Sequence, residues 1–184
     1  MILLCAAATR SSRTGAFGCP DEALDDGGRR AAGAYRVEER FRDHATASPA
    51  RAAIETATAM GINLCEEPAL QDMDHGDWAG CAFEDVHRSS PEAFATWMAN
   101  PSRGAPGGET LSAVQARIGR WLDGLTQTDD PLLAITHPMV IRGALAHALN
   151  MPLTSTLAID IAPLARVRLS FNRIWRLQAI EPAK

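Results

Sequence analysis

Short apolar strands alternate with helical segments along this chain, and that alternation limits the possible folds more than any other feature. The two clearest strands are runs of apolar residues at positions 2–8 and 131–135, which are too short for buried helices. The other predicted strands are residues 44–47 and 62–65, followed by a closing hairpin of residues 166–171 and 174–180 that turns at Asn172 and Arg173. Because helices separate most of these strands, we expect an α/β fold with a largely parallel sheet and an antiparallel edge.

Capping and turn residues set the bounds of the predicted helices. The helices are predicted over residues 25–41, 50–60, 83–88, 91–98, 110–125 and 138–149. Ser48 and Pro49 provide a cap and a first-turn proline for the second of them, and Gly61 ends it. Two polar loops follow, at residues 70–80 and 100–110. No internal repeat or linker interrupts this order, so we expect a single domain over residues 1–184.

The composition favours an ordinary soluble protein. Its hydrophobic fraction is 46%, and its formal charge of −4 is spread along the chain, which gives no bulk electrostatic attraction for nucleic acid. No apolar run is long enough to span a membrane, and no basic segment precedes the first strand as in a secretory signal. The four cysteines, Cys5, Cys19, Cys65 and Cys81, lack the spacing of a zinc site. We therefore expect free thiols, a cytoplasmic location, and neither a metal nor an organic cofactor.

Two strand ends are the candidate positions for chemistry. In open α/β sheets ligands bind at the carboxyl ends of the strands, which here fall at residues 4–6 and 135–137. A helix is predicted to start directly after His137, and free N–H groups at a helix amino terminus attract anions. Taken alone, His137 is either a nucleophile or proton shuttle, or a capping and packing residue.

Six segments, taken in order, resemble the histidine phosphatase superfamily, also called the phosphoglycerate mutase-like family. They are the opening strand with Thr9, Ser12 and Gly15, then PDEALDDGGRRAA, SPARAAIETA, LQDMDHGDWAG, PGGETL and AITHPMVIRGALAHAL. The resemblance covers nearly the whole chain. It implies a single-domain, three-layer α/β/α sandwich of the phosphoglycerate mutase-like type. It also implies a chemistry in which a histidine attacks phosphorus, two arginines and a second histidine hold the phosphoryl oxygens, and an acid protonates the leaving group.

Carrying the family's residues onto this chain leaves the main catalytic positions without their usual side chains. The nucleophilic histidine falls on Ala6 and its arginine neighbour on Cys5, because Thr9 fixes the count. The second arginine falls on Ala52, whereas Arg51 lies one residue early, a rotation of roughly 100° on a helix. Either a shift at the helix start turns Arg51 inward, or this arginine is solvated.

The remaining family positions are occupied. His137 matches the second histidine and Asp72 the acid, although Asp72 could instead cap backbone groups of its loop. The resemblance makes Arg51, Thr9, Arg10, Ser12 and Glu109 the candidate substrate-binding residues, with Glu109 also able to cap the next helix. We interpret two further residues as structural, His75 as a packing residue and Arg142 as the partner of an acidic neighbour.

Two functional hypotheses follow from these residues. In the first, the chain is a pseudophosphatase with a binding or regulatory role, in which a pocket for phosphate or a small phosphorylated metabolite persists. In the second, it is an unusual phosphomonoesterase with His137 as nucleophile or base and Asp72 as acid, and with Arg10, Arg13 or Arg51 as phosphate donors. Attack by Cys5 is a variant of this second hypothesis. Neither involves nucleic acid or a membrane, and the strands at residues 167–180 offer an edge for a homodimer.

Overall fold

The computed structural model describes residues 1–100, 102–126 and 130–183. Within these residues six strands form one sheet in the order β3-β2-β4-β1-β5-β6. The strands are β1 (Ile2–Cys5), β2 (Ala45–Ala47), β3 (Cys65–Glu66), β4 (Leu133–Thr136), β5 (Arg166–Asn172) and β6 (Ile174–Glu181). The first four strands in this order pair in parallel, and β5 and β6 add an antiparallel edge. The predicted α/β class and mixed sheet are therefore confirmed.

Helices cover both faces of the sheet. They are α1 (Arg10–Thr14), α2 (Asp26–Ala34), α3 (Arg51–Met60), α4 (Phe83–Ser89), α5 (Pro91–Ala99), α6 (Leu111–Leu125), α7 (Pro138–Ala148) and α8 (Leu153–Thr156). Successive side chains of a strand point to opposite faces. Leu3 of β1 packs with α6 and α7, whereas Ile2 and Leu4 pack with α2 and α3. This arrangement gives the three layers that the family resemblance implies.

Several predicted bounds differ from the structure. The helix predicted to reach residue 41 ends at Ala34, because Tyr35 and Val37 pack in extended backbone against the α2 and α3 side of the core. The α3 helix begins at Arg51, so Pro49 precedes its cap instead of occupying the first turn. Strand β3 is only two residues long, and α1 and α8 were not predicted.

Two further expectations concern the whole chain. No helix in the described part of the chain combines the length and apolar character needed to cross a membrane. That residues 1–184 form one domain stays a prediction, and five of its positions, 101, 127–129 and 184, lie outside the described residues.

Helix α2 packs directly on the segment that follows β1, and a glycine allows this contact. A Cβ at Gly28 would collide with the backbone carbonyl oxygen of Ala8, whereas a Cβ at Gly124, in the last turn of α6, would meet nothing within 4 Å. We expect Gly28→Ala to lower the free energy of unfolding by about 2–3 kcal/mol, because backbone atoms must move. Gly124→Ala is the matched control and should raise it by about 0.5–1 kcal/mol. Urea unfolding measures both, and equal effects would contradict this packing.

Candidate functional site

A cavity of about 390 Å³ lies at the carboxyl ends of β1 and β4. This is the position expected for a ligand site in a parallel α/β sheet. The lining residues that matter for its chemistry are Ala6, Ala52, Asp72, His75, His137 and Arg142. The structure thus brings the predicted acid and the predicted histidine together in one cavity.

The positions that the family resemblance gives to a nucleophile and an arginine carry methyl groups here. Cys5 pairs with Thr136 across the parallel ladder, and the next N–H, that of Ala6, donates to the Thr136 carbonyl at 2.7 Å. Ala6 therefore comes level with His137, where the resemblance places a nucleophile. Ala52, in the first turn of α3, is 7% exposed and lines the same cavity.

Both ring nitrogens of His137 have partners within the chain. Its Nε2 lies 2.9 Å from the buried Ser48 Oγ, and its Nδ1 lies 3.4 Å from Asp72 Oδ2. Ser48 Oγ already accepts the Ala50 N–H at 3.1 Å, so its own proton is available for Nε2. With the hydrogen of a neutral ring then on Nδ1, this nitrogen is the one that lies near the Asp72 carboxylate. His137 is therefore held in place without a ligand.

A partly buried arginine sets the position of Asp72. Arg117 donates to the carbonyl oxygens of Ala69 at 2.7 Å and of Asp72 at 3.3 Å. Its guanidinium also binds both carboxylate oxygens of Glu109, at 2.9 and 3.0 Å. Glu109 was predicted to bind substrate or to cap α6. Instead it anchors the loop that carries Asp72, and Thr110 caps α6. The anchoring role of Arg117 was not predicted from the sequence.

The predicted phosphate loop uses its polar groups internally. Thr9 and Ser12 line the cavity, but each side chain accepts the backbone N–H of the other in a capping box for α1. The N–H of Ser11 donates to Glu22 Oε1 at 2.8 Å, and that of Ala7 donates to Thr56 Oγ1 at 3.0 Å. These groups therefore stabilise the loop itself.

None of the three arginines predicted as phosphate donors lines the cavity. Arg51 pairs with Glu55 at 2.8 Å, and 57% of its side chain is exposed, so of the two alternatives for this residue the structure has the solvated arginine and not the inward turn. Arg13 pairs with Asp25, and Arg10 is exposed. Among the described residues Arg142 is the only lysine or arginine that lines the cavity.

Arg142 has partners other than the acidic neighbour that we predicted. It donates to the backbone carbonyl oxygens of Thr156 and Ile159, the latter at 3.0 Å. Burial lowers its pKa from the ordinary value, and Asp160 partly opposes this shift. Its side chain thus ties α7 to the segment after α8.

Two other side chains of the site are electrically neutral at neutral pH. Burial, with the charge of Asp72 nearby, raises the pKa of the Cys5 thiol to about 12, which disfavours the thiolate that attack by Cys5 would need. Burial also lowers the pKa of His75, which packs against the Phe17 ring at 5.0 Å and fits the predicted packing role.

Aromatic residues also line the cavity: Trp97 was interpreted from the sequence as a core or pocket-wall residue, whereas Phe17 and Phe83 were not assigned to the site. Phe17, Phe83 and Trp97 line the cavity on the side of α4 and α5.

In the part of the chain that the structure describes, no three His, Cys, Asp or Glu side chains gather in a group able to hold a metal ion.

The comparisons identify the family. The family model of the histidine phosphatase superfamily (branch 1) matches residues 1–178, so the chain belongs to that superfamily. Phosphoserine phosphatase 1 of Hydrogenobacter thermophilus is 27% identical over 105 residues, which are 55% of this chain and 50% of that protein. The match thus spans half the length of that relative.

Solved structures agree with this assignment. A mycobacterial glucosyl-3-phosphoglycerate phosphatase in complex with VO3 has a TM-score of 0.87 at 22% identity, covering 100% of this chain and 98% of that one. A mutant phosphoserine phosphatase from Entamoeba histolytica, in complex with phosphoserine, has a TM-score of 0.83 at 17% identity, covering 100% and 96% of the chains. At these identities the likeness shows the fold.

The contacts of Arg117 predict that a single substitution of this residue has a large effect on stability. The side chains of Arg117 and Glu109 are about one-fifth exposed. Arg117→Ala leaves this carboxylate and two carbonyl oxygens without their donor, so we expect the free energy of unfolding to fall by about 2–4 kcal/mol. Arg88→Ala is the control, since Arg88 pairs with carboxylates on the surface and should change it by less than about 1 kcal/mol. Chemical unfolding of both variants checks this, and a small effect of Arg117→Ala would contradict the anchoring role.

The raised pKa of Cys5 predicts selective thiol chemistry. At pH 8 only about one in 10⁴ Cys5 side chains is a thiolate, whereas Cys19 and Cys65 are exposed. Iodoacetamide should therefore modify Cys19 and Cys65 in the folded protein and Cys5 only after unfolding, as measured by peptide mass mapping. Labelling of native Cys5 at the rate of Cys19 would show an accessible, reactive thiol at the strand end.

Proposed function

We propose that this chain is a histidine-phosphatase-fold protein that has lost phosphohistidine catalysis and acts by binding a ligand in the cavity. One observation carries the proposal. Ala6 stands beside His137 at the end of β1, on the cavity wall, where the family resemblance places the attacking histidine. A methyl group forms no phosphoryl bond, and loss of a nucleophile typically costs on the order of 10⁶ in rate.

The other parts of the reaction are also missing or engaged. Phosphoryl transfer needs positive donors on the equatorial oxygens, but the two arginine positions are Cys5 and Ala52. The nearby Arg51 pairs with Glu55 instead. Without a nucleophile and these donors, the chain provides neither the covalent step nor the stabilisation of the charge on the phosphoryl oxygens.

The contact between Asp72 and His137 favours the second hypothesis, an unusual phosphomonoesterase. An acid and a histidine on one cavity wall could act as a proton-transfer pair. Direct attack by His137 has less support, because Nε2 is bound to buried Ser48 and Nδ1 faces the carboxylate. We therefore retain this activity as the alternative to be tested.

A phosphatase assay separates the two hypotheses. The unmodified chain, His137→Ala and Ala6→His would be incubated with an aryl phosphate and with phosphoserine, beside an active member of the superfamily. We expect no turnover by the unmodified chain above that of His137→Ala, and no acid-labile phosphate on either protein. Turnover that His137→Ala abolishes would overturn the loss of catalysis.

The solved relatives support a binding role. The mutant from Entamoeba histolytica carries alanine in place of a histidine and was solved with phosphoserine, so a protein of this fold with such a change still holds a ligand. The relative with VO3 is a further liganded example.

A cytoplasmic location and a homodimer stay predictions.

A further inference from the structure

We propose that the cavity accepts a small organic cation, an alkyl- or arylammonium compound, in preference to a phosphate ester. The inference rests on the proposed function, since it requires that the phosphate-binding machinery is gone. Three features of the cavity support it: several N–H donors around the end of β1 are already used, two carboxylate side chains line it, and so do three aromatic rings.

The first feature is the use of donors around the end of β1. The Ala6 N–H donates to Thr136, the Ala7 N–H to Thr56, and the Thr9 N–H to Ser12. A phosphate at this position would compete with each of these bonds. Because a buried donor or acceptor that loses its partner is costly, the loop favours its internal contacts over an added anion.

Glu22 gives the second feature. Its carboxylate lines the cavity and accepts the Ser11 N–H at 2.8 Å, in the first turn of α1. Free N–H groups in a first turn are where an anion would be held, and here the chain supplies its own carboxylate. A phosphate placed nearby would meet a like charge.

Asp72 adds a second carboxylate to the cavity lining. Its Oδ2 faces His137 Nδ1 at 3.4 Å, and 26% of its side chain remains exposed. Among the described lining residues the only permanent positive charge that could offset the two carboxylates is Arg142, which already donates to two carbonyl oxygens. The lining therefore attracts a cation more strongly than an anion.

The third feature is the aromatic wall. The Phe17 ring meets those of Phe83 and Trp97 edge-on, with centroids 4.6 and 5.2 Å apart, and all three residues line the cavity. Ring faces attract ammonium groups, most strongly for tryptophan. A carboxylate on one side and aromatic rings on another fit an ammonium with an apolar substituent.

The amino terminus of α7 favours the opposite charge. No side chain caps it, and Met139 in its first turn lines the cavity. Inorganic phosphate is therefore the competing ligand that the experiment must include.

Calorimetric titration of the full chain tests the inference with three probes: benzyltrimethylammonium, tetramethylammonium and inorganic phosphate. We expect benzyltrimethylammonium to bind more tightly than tetramethylammonium, and phosphate not to displace it. Asp72→Asn should weaken ammonium binding about tenfold, because it removes the charge and keeps the shape. Asp74→Asn changes the net charge equally, on the same loop but outside the cavity lining, and should leave binding unchanged. Thermal unfolding confirms that both variants fold.

The outcomes separate this inference from the proposed function. Phosphate binding without ammonium binding overturns it, and so does the absence of ammonium binding up to about 10 mM. Equal losses in Asp72→Asn and Asp74→Asn would also overturn it, since only net charge would then matter. A different measurement tests the proposed function, which is contradicted if the unmodified chain shows phosphatase turnover that His137→Ala abolishes. With no turnover and no ammonium binding, the proposed function stands and the cation inference fails.

Discussion

Parallel pairing of β1 with β4 is the constraint on which the site depends. Each rung of this ladder fixes the position of the next, so the pairing of Cys5 with Thr136 brings Ala6 level with His137. The two strands are buried on both faces, and a slip of one residue would exchange the side chains that face the two helical layers. The packing that stabilises the sheet therefore also fixes which side chains meet at its carboxyl edge, whatever chemistry they carry.

A second constraint acts from outside the sheet. Asp72 lies on a loop, and a loop of this kind holds a side chain in place only if its backbone is tied down. Arg117 of α6 supplies that tie through two carbonyl oxygens, and Glu109 orients the guanidinium by a two-pronged contact. Asp72 thus lies beside His137 because contacts with α6 position its loop.

The sequence predicted the sheet from its apolar runs, and the family resemblance assigned both Asp72 and His137 to one site, which the structure places in the same cavity. It did not predict that Arg51 faces Glu55, although their spacing of four residues in a helix is a visible signal for an ion pair. The role of Arg117 could not be predicted, because its carbonyl partners come together only through the fold. The end of α2 was predicted wrongly for a similar reason, because tertiary packing of the residues that follow it outweighed the helical spacing of apolar residues in the sequence.

The contacts of His137 lie within the chain. Its Nε2 is hydrogen-bonded to buried Ser48, and its Nδ1 lies 3.4 Å from the Asp72 carboxylate, so both nitrogens of this buried ring have polar neighbours. Small side chains at Ala6 and Ala52 leave volume but no unpaired charge. The resulting pocket exposes the Asp72 carboxylate to an incoming ligand. A ligand of opposite charge complements that carboxylate, whereas a phosphate would be repelled by it.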